Sequence, residues 1–358
     1  MSDFIKALEL SEQFYEKIVA PILKTHFPDL EYSAALIGWG SEVLGFDDAQ
    51  STDHNYGLRF QVFLTEKDFD EYSSRIDHVL KKGLPDNFHG FPTAFEIVAN
   101  DDDRGKPENL RHHVDLETIA GFFRRYLDCD PYEDLKAADW LAFPEHKLLA
   151  VTSGRVFFDG SGNLEDIRKK FAYFPRDVWL YMLAAQWSKI FEEQAFVGRC
   201  GQLGDELGST LIAARQIKNL MRLAFLIERK YAPYSKWFGT AFSHLRCAGD
   251  LKPVFEKTMD AKDWHARQRF LTDGCKIIMR HYNDLRITCP MSEEISDYFK
   301  RPFLVIKDES VVDKLLAEIT DEEVKNIRKG LGSVNQFFDS NAQLNDASLI
   351  RELKMLYQ

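Results

Sequence analysis

The chain has 358 residues, 45% of them hydrophobic and 29% charged, which is enough for roughly two domains with cores of their own. Its net charge of −11 disfavours non-specific nucleic-acid binding, although a local basic cleft remains compatible with it. The five scattered cysteines include no C-x-x-C pair, which argues against a zinc ribbon or a disulfide framework and for reduced thiols.

The first segment, MSDFIKALELSEQFYEKI, reads as an amphipathic helix over Phe4 to Ala20 that stops near Pro21. It carries acids and no long apolar run, so it is not a signal peptide, and no stretch approaches bilayer length. A soluble, cytoplasmic protein with no membrane partner is expected. Strands are predicted at Ala34 to Gly38, Leu58 to Leu64, Ala94 to Val98, Val114 to Ile119 and Arg155 to Phe158. Helical patterns lie between them at Lys67 to Lys82, Ile119 to Leu127 and Ala137 to Ala150. The acidic run Asp101-Asp102-Asp103 reads as a solvated loop. From Pro175 onward long helices dominate, at Asp177 to Phe196, Asp205 to Lys230, Lys252 to Met259, Trp264 to His281, Asp308 to Ile319 and Glu322 to Lys329. One short strand is expected at Phe303 to Ile306. The predicted class is α+β. Its domains are an α/β part over residues 1–170, a helical bundle over 171–290 and a helical extension over 291–358.

The chemistry concentrates between Gly40 and Asn55, GSEVLGFDDAQSTDHN. It follows the apolar run YSAALIGW (Tyr32 to Trp39), and Gly-Ser is expected to open a short helix. Gly40 would let backbone approach a ligand closely, Ser41 would donate its hydroxyl, and the helix start would offer free N–H groups to an anion. Asp53 and Asn55, two apart on the predicted second strand, would share one face with Gly57, Arg59 and Gln61. Asp115 and Glu117 would add carboxylates from a neighbouring strand. Phosphoryl and nucleotidyl transfer need this combination: fixed donors for phosphates, and acids around a divalent ion. The plainer reading is a Gly-Ser turn and a capping Asp in an unrelated α/β domain. No G-x-x-x-x-G-K-[ST] or G-x-G-x-x-G sequence is present, which argues against a P-loop enzyme and a dinucleotide-binding oxidoreductase.

These residues resemble the DNA polymerase beta-like nucleotidyltransferase superfamily, whose signature is Gly-Ser, a spacer, Asp-x-Asp on a strand and a later acid. More closely, Leu30 to Arg286 resembles an uncharacterised bacterial family known only as a domain of unknown function. The distinctive pieces are GSEVLGFDD with STDH, Val114-Asp115-Leu116, Asp139-Trp140-Leu141, GRVFFD (from Gly154), FVGRCGQLGDELGS (from Phe196) and YAPYSKWFGTAF (from Tyr231). The resemblance implies a mixed sheet with flanking helices, followed by a helical domain like that of kanamycin nucleotidyltransferase. It implies that Gly40 and Ser41 hold phosphates. Asp53 and Asp115 would be the catalytic acids, and Asp53, Asn55, Asp115 and Glu117 would hold Mg2+ or Mn2+. An NTP would be the co-substrate, with a small-molecule or macromolecular acceptor. Asn55 departs from the pattern: an amide oxygen brings no charge to a hard cation. Asp47 and Asp48, just upstream, could substitute for the missing acid or simply cap turns. The alternative is therefore a catalytically impaired nucleotide-binding protein acting as sensor or scaffold.

In the helical half, Arg199 and Lys236 are candidate triphosphate contacts, because both sit in glycine-containing segments. Trp237 or Tyr234 could stack on a base, and Asp205 or Glu206 could deprotonate an acceptor hydroxyl. The plainer readings are a helix cap for Asp205, ion pairs for Arg215 and Arg222, and core packing for Trp237.

Overall fold

The apolar run after Glu31 forms β1 (Tyr32–Leu36), whose Ala34, Ala35 and Leu36 are fully buried. The computed structural model describes residues 4–53, 57–96 and 110–358, without the side chains of residues 52, 53, 96 and 110. Within those residues the protein is α+β, with a mixed sheet in its N-terminal part and a largely helical C-terminal part. It divides into two units: residues 1–134 with 147–172, and residues 135–146 with 173–358.

The first unit is built on a four-stranded sheet. After β1 come β2 (Phe60–Leu64), the short pairs β3 (Asn87–Phe88) with β4 (Phe91–Pro92) and β5 (Ala94–Glu96) with β6 (Leu110–His112), then β7 (Val114–Thr118) and β8 (Arg155–Asp159). The sheet order is β7-β2-β1-β8. β1 is antiparallel to both neighbours, and β2 is parallel to β7 with Gln61 opposite Asp115 and Phe63 opposite Glu117. Every residue of β2 is buried, as expected for a central strand. Helix Glu66–Gly83 starts where the Thr65 hydroxyl accepts a hydrogen bond from the Asp68 amide, and Thr118 caps helix Ile119–Leu127 in the same way through the Gly121 amide.

Three local expectations need correction. The N-terminal helix does not stop at Pro21. It runs as Ala7–Phe14, a π-helical turn over Tyr15–Val19, and Ala20–His26. Proline removes one donor and crowds the preceding turn, and it is tolerated here in the first turn after the widened segment. The single helix predicted over Ala137 to Ala150 is two helices, Ala137–Ala142 and Glu145–Thr152, parted at Pro144. Gly-Ser does not open an α-helix. Residues 41–45 form hydrogen-bonded turns, with the Phe46 amide bonded to the Ser41 carbonyl, and a 3-10 turn follows over Ala49–Asp53.

The second unit surrounds helix Arg176–Glu193, which is buried on nearly every side. Helices Glu206–Ile227, Ala248–Asp260 and Trp264–Asn283 belong to the same unit. It is not purely helical: β9 (Ile295–Tyr298) and β10 (Arg301–Ile306) form an antiparallel hairpin, of which only the second strand was expected. Residues 291–358 fall in this unit. Asp177 accepts hydrogen bonds from the amides of Thr320 and Asp321, and Tyr181 donates to the Arg328 carbonyl.

Gly154 shows how tightly β8 is entered. Its φ is +71°, its amide donates to the Val43 carbonyl, and a Cβ there would lie 2.0 Å from the Leu36 carbonyl oxygen. Gly162, at φ +75°, has nothing within 4 Å of the same position. Gly162→Ala should cost about 1 kcal/mol from backbone strain alone, whereas Gly154→Ala should cost about 2–4 kcal/mol because β1 backbone must also move. Urea unfolding of both variants checks the difference.

Candidate functional site

The turn after β1 is shaped by one ion pair. Arg59, just before β2, donates through Nε to Glu42 Oε1 at 2.9 Å, and its Nη2 reaches both Glu42 Oε1 and the Trp39 carbonyl. Only 15% of the Arg59 side chain and 8% of the Glu42 side chain are exposed, so the pair is largely withdrawn from water. It lies directly over Gly40, where φ is +115° and a Cβ would fall 2.3 Å from the Glu42 carboxylate. Gly40 is thus required first by internal packing. Ser41 is half-buried, and its hydroxyl makes no hydrogen bond among the described residues. Gln61 completes the frame: its amide pairs with both the N–H and the carbonyl of Ile37, extending the sheet where β1 has ended.

Asp53 ends the 3-10 turn and does not lie on a strand, so it cannot share a strand face with Arg59 and Gln61. Its side chain, and Asn55 and His54 altogether, lie outside the described residues, as does the acidic run at 101–103. Asp47 and Asp48 are committed to capping. Asp47 accepts from the Ala7 amide at 3.0 Å, and Asp48 accepts from the Gln50 and Ser51 amides.

Asp115 and Glu117 project from β7 two residues apart and line a cavity of about 670 Å³ with Ser73, Ser74, Asp77, Arg111, His112 and Arg125. The two acids differ. Glu117 is held by Arg125, whose Nη2 lies 2.8 and 2.6 Å from its two oxygens. Asp115 is exposed and makes no hydrogen bond among the described residues. Loss of hydration beside the cavity wall raises its pKa, against the opposing pull of Arg125, Arg59 and His112. Glu117 is raised by burial too, with Arg125 opposing. His112 and His113 are pushed below the usual imidazole value, chiefly by burial, which leaves both neutral at pH 7. His112 Nδ1 accepts the Val114 amide while Nε2 lies 3.2 Å from Asp77. No group of three His, Cys, Asp or Glu side chains suited to a metal gathers among the described residues. Asp115 alone has the character of an open oxygen ligand, so the described donors do not by themselves complete a divalent-ion site.

The remaining predicted residues belong to the second unit. Arg199 bonds Gln202 at 2.9 Å on its own short helix, and the Lys236 ammonium lies 4.8 Å from the Trp237 ring centre. Asp205 caps helix Glu206–Ile227, Glu206 pairs with Arg267, Arg215 with Glu193, and Arg222 with Glu145. Sequence reasoning missed Glu42 and Arg125. Glu42 stood inside the Gly-Ser motif, and Arg125 stands eight residues after Glu117, one strand-to-helix turn away.

Comparison with known proteins adds a coarse frame. Residues 140–238 match the model of a domain of unknown function, DUF4037, a span that excludes Gly40, Asp53 and Asp115. No curated protein matches the chain. A solved nucleotidyltransferase-like protein from Exiguobacterium sibiricum 255-15 is similar over 90% of this chain and 96% of its own, at 13% identity and a TM-score of 0.32. Among the described residues no helix is long and apolar enough to cross a membrane.

The raised pKa of Asp115 has a thermodynamic consequence with a definite sign. A carboxyl whose pKa is higher folded than unfolded binds protons more tightly in the native state. Stability therefore falls as pH rises from the ordinary Asp range through the folded value. Asp115→Asn should raise the melting temperature at pH 7, and the gain should vanish as pH falls below the ordinary Asp range. Calorimetric scans across pH test both statements.

Proposed function

We propose that this protein is a nucleotidyltransferase-like enzyme that binds an NTP at the turn after β1 and moves a nucleoside monophosphate to an acceptor hydroxyl or phosphate, breaking the bond between the α- and β-phosphates and releasing pyrophosphate. The observation that carries this reading is Asp115: an exposed carboxylate without a hydrogen-bond donor among the described residues, at a cavity mouth, on the strand parallel to β2. Leaving a carboxylate unpaired there has a cost in stability, and sites of reaction are where such costs are retained. The Ser41 hydroxyl and neighbouring amides would hold phosphate oxygens, with Gly40 shaping the turn. Asp115 would orient the acceptor hydroxyl and take its proton. Mg2+ or Mn2+, if Asp53 completes its ligand set with Asp115, would supply charge neutralisation at the phosphates.

A second reading is a nucleotide-binding protein without turnover. It is favoured by the Arg59–Glu42 pair, which already fills the space over Gly40, and by Asn55 in place of an acid. In that case Glu42 would exchange for a phosphate on Arg59, with no catalytic step.

Full-length protein incubated with α-labelled NTPs, Mg2+ or Mn2+ and a cell extract should transfer label, and Asp115→Asn and Asp53→Asn should each lower transfer by roughly 100-fold or more. Calorimetry with each NTP, with and without metal, separates the readings: binding without transfer, restored by Asn55→Asp, supports the second. Absence of both binding and transfer sinks the two together.

A further inference from the structure

A second, chemically distinct pocket lies wholly within the helical unit and shares no lining residue with the cavity beside Asp115. It has a volume of about 300 Å³, which is within the range of small-ligand sites. Its wall combines cations (Arg222 and Lys218), flat side chains (Tyr234 and Phe238) and amides (Asn335 and Asn341).

Arg222 is the centre of it. The side chain is 11% exposed, on helix Glu206–Ile227, and its guanidinium stands 5.5 Å from the Phe238 ring centre. A guanidinium has five N–H donors. Among the described residues Arg222 uses one, and weakly: Nη1 lies 3.3 Å from Glu145 Oε1. Glu145 gives its other oxygen to the Ala232 amide at 3.1 Å, and its own amide is bonded to Asn335. The carboxylate is thus anchored independently of Arg222, which is left with donors unspent. Its remaining donors keep contact with water and are not sealed in the interior, so an acceptor entering the pocket can reach them.

A second cation stands beside it. Lys218 pairs with Asp339 at 2.6 Å at the pocket rim. The lining thus carries two cations, Arg222 and Lys218, and one anion, Asp339, beside two aromatic faces, while Glu145 pairs with Arg222 from outside the lining.

We infer that this pocket binds a small organic anion. A carboxylate or phosphate ester group would take the open donors of Arg222, and a flat apolar body would lie against Tyr234 and Phe238. This site stands independently of the proposed nucleotide chemistry, since it shares no residue with it.

Isothermal titration and thermal shift on the full chain test it, with phenyl phosphate and benzoate as the two anionic arms and benzyl alcohol as the neutral control. At least one anion should bind at millimolar concentration or below and raise the melting temperature, and benzyl alcohol should not; which anion binds names the head group. Arg222→Met should weaken binding by at least about tenfold. Because that variant strands Glu145 and can fail to fold, Ser235→Trp provides a second test: it plugs the exposed side of the pocket, leaves Arg222 and Glu145 intact, and should abolish binding in a folded protein. Lys218→Gln should weaken the anion several-fold without affecting folding. Binding of neither anion by the wild type, or binding that survives Ser235→Trp, overturns the inference.

Discussion

One guanidinium sets the geometry of the first unit's candidate site. Arg59 lies at the entry to β2, yet its partners, Glu42 and the Trp39 carbonyl, both come from the turn that leaves β1. The contact fixes that turn against the sheet. Two charges in contact attract by about 4 kcal/mol at an effective dielectric constant near 20, but most of that is offset by the desolvation of both groups. The benefit is therefore positional. The pair also demands a residue without a side chain at Gly40, and it places a fixed positive charge where it acts on Asp115 and His113.

From this constraint the differing fates of the acids follow. Asp47 and Asp48 lie just beyond the turn and are spent on backbone donors, one at the start of the first helix and one at the 3-10 turn. Glu42 is spent on Arg59, and Glu117 on Arg125. Asp48, Glu42 and Glu117 are each satisfied by a donor from their own unit, whereas Asp47 gives one oxygen to Ala7 and keeps the other buried without a hydrogen bond, 3.8 Å from Lys6. Asp115 sits among the same cations but bonds to none of them. The cationic surroundings lower the cost of holding it ionised without closing it off.

The sequence made the core of this architecture legible because its strands alternate or run apolar and its helices are punctuated by caps. Helix Ile119–Leu127 was placed with its observed limits, and Asp205 was readable as a cap. What failed were positions decided by distant partners. Asp53 reads as a strand residue because it precedes an apolar run by a suitable spacing; in the protein the strand begins only at Phe60, after a turn stabilised by Asp48. Gly40 reads as a ligand-contact glycine because Gly-Ser turns often are; only the fold shows that a side chain seventeen residues from Glu42 lies over it. Strand β9 escaped because ISDY is half-buried and lacks an apolar face strong enough to announce itself.

Degree of satisfaction separates the two buried arginine–glutamate pairs more clearly than burial does. Arg59 and Arg222 are nearly equally withdrawn from water, at 15% and 11% side-chain exposure. Arg59 directs two of its nitrogens at two acceptors, a carboxylate and a carbonyl, and so behaves as a strut. Arg222 reaches a single oxygen at the long end of hydrogen-bond distance, and that oxygen's carboxylate is already fixed by a backbone amide. The unpaired nitrogens of Arg222 keep contact with water, so the two arginines, alike in burial and unlike in pairing, differ in what an entering ligand can reach. The first is complete without a ligand. The second lines a cavity with aromatic walls and a second cation, Lys218, and an anion entering there would take the donors that Glu145 leaves open.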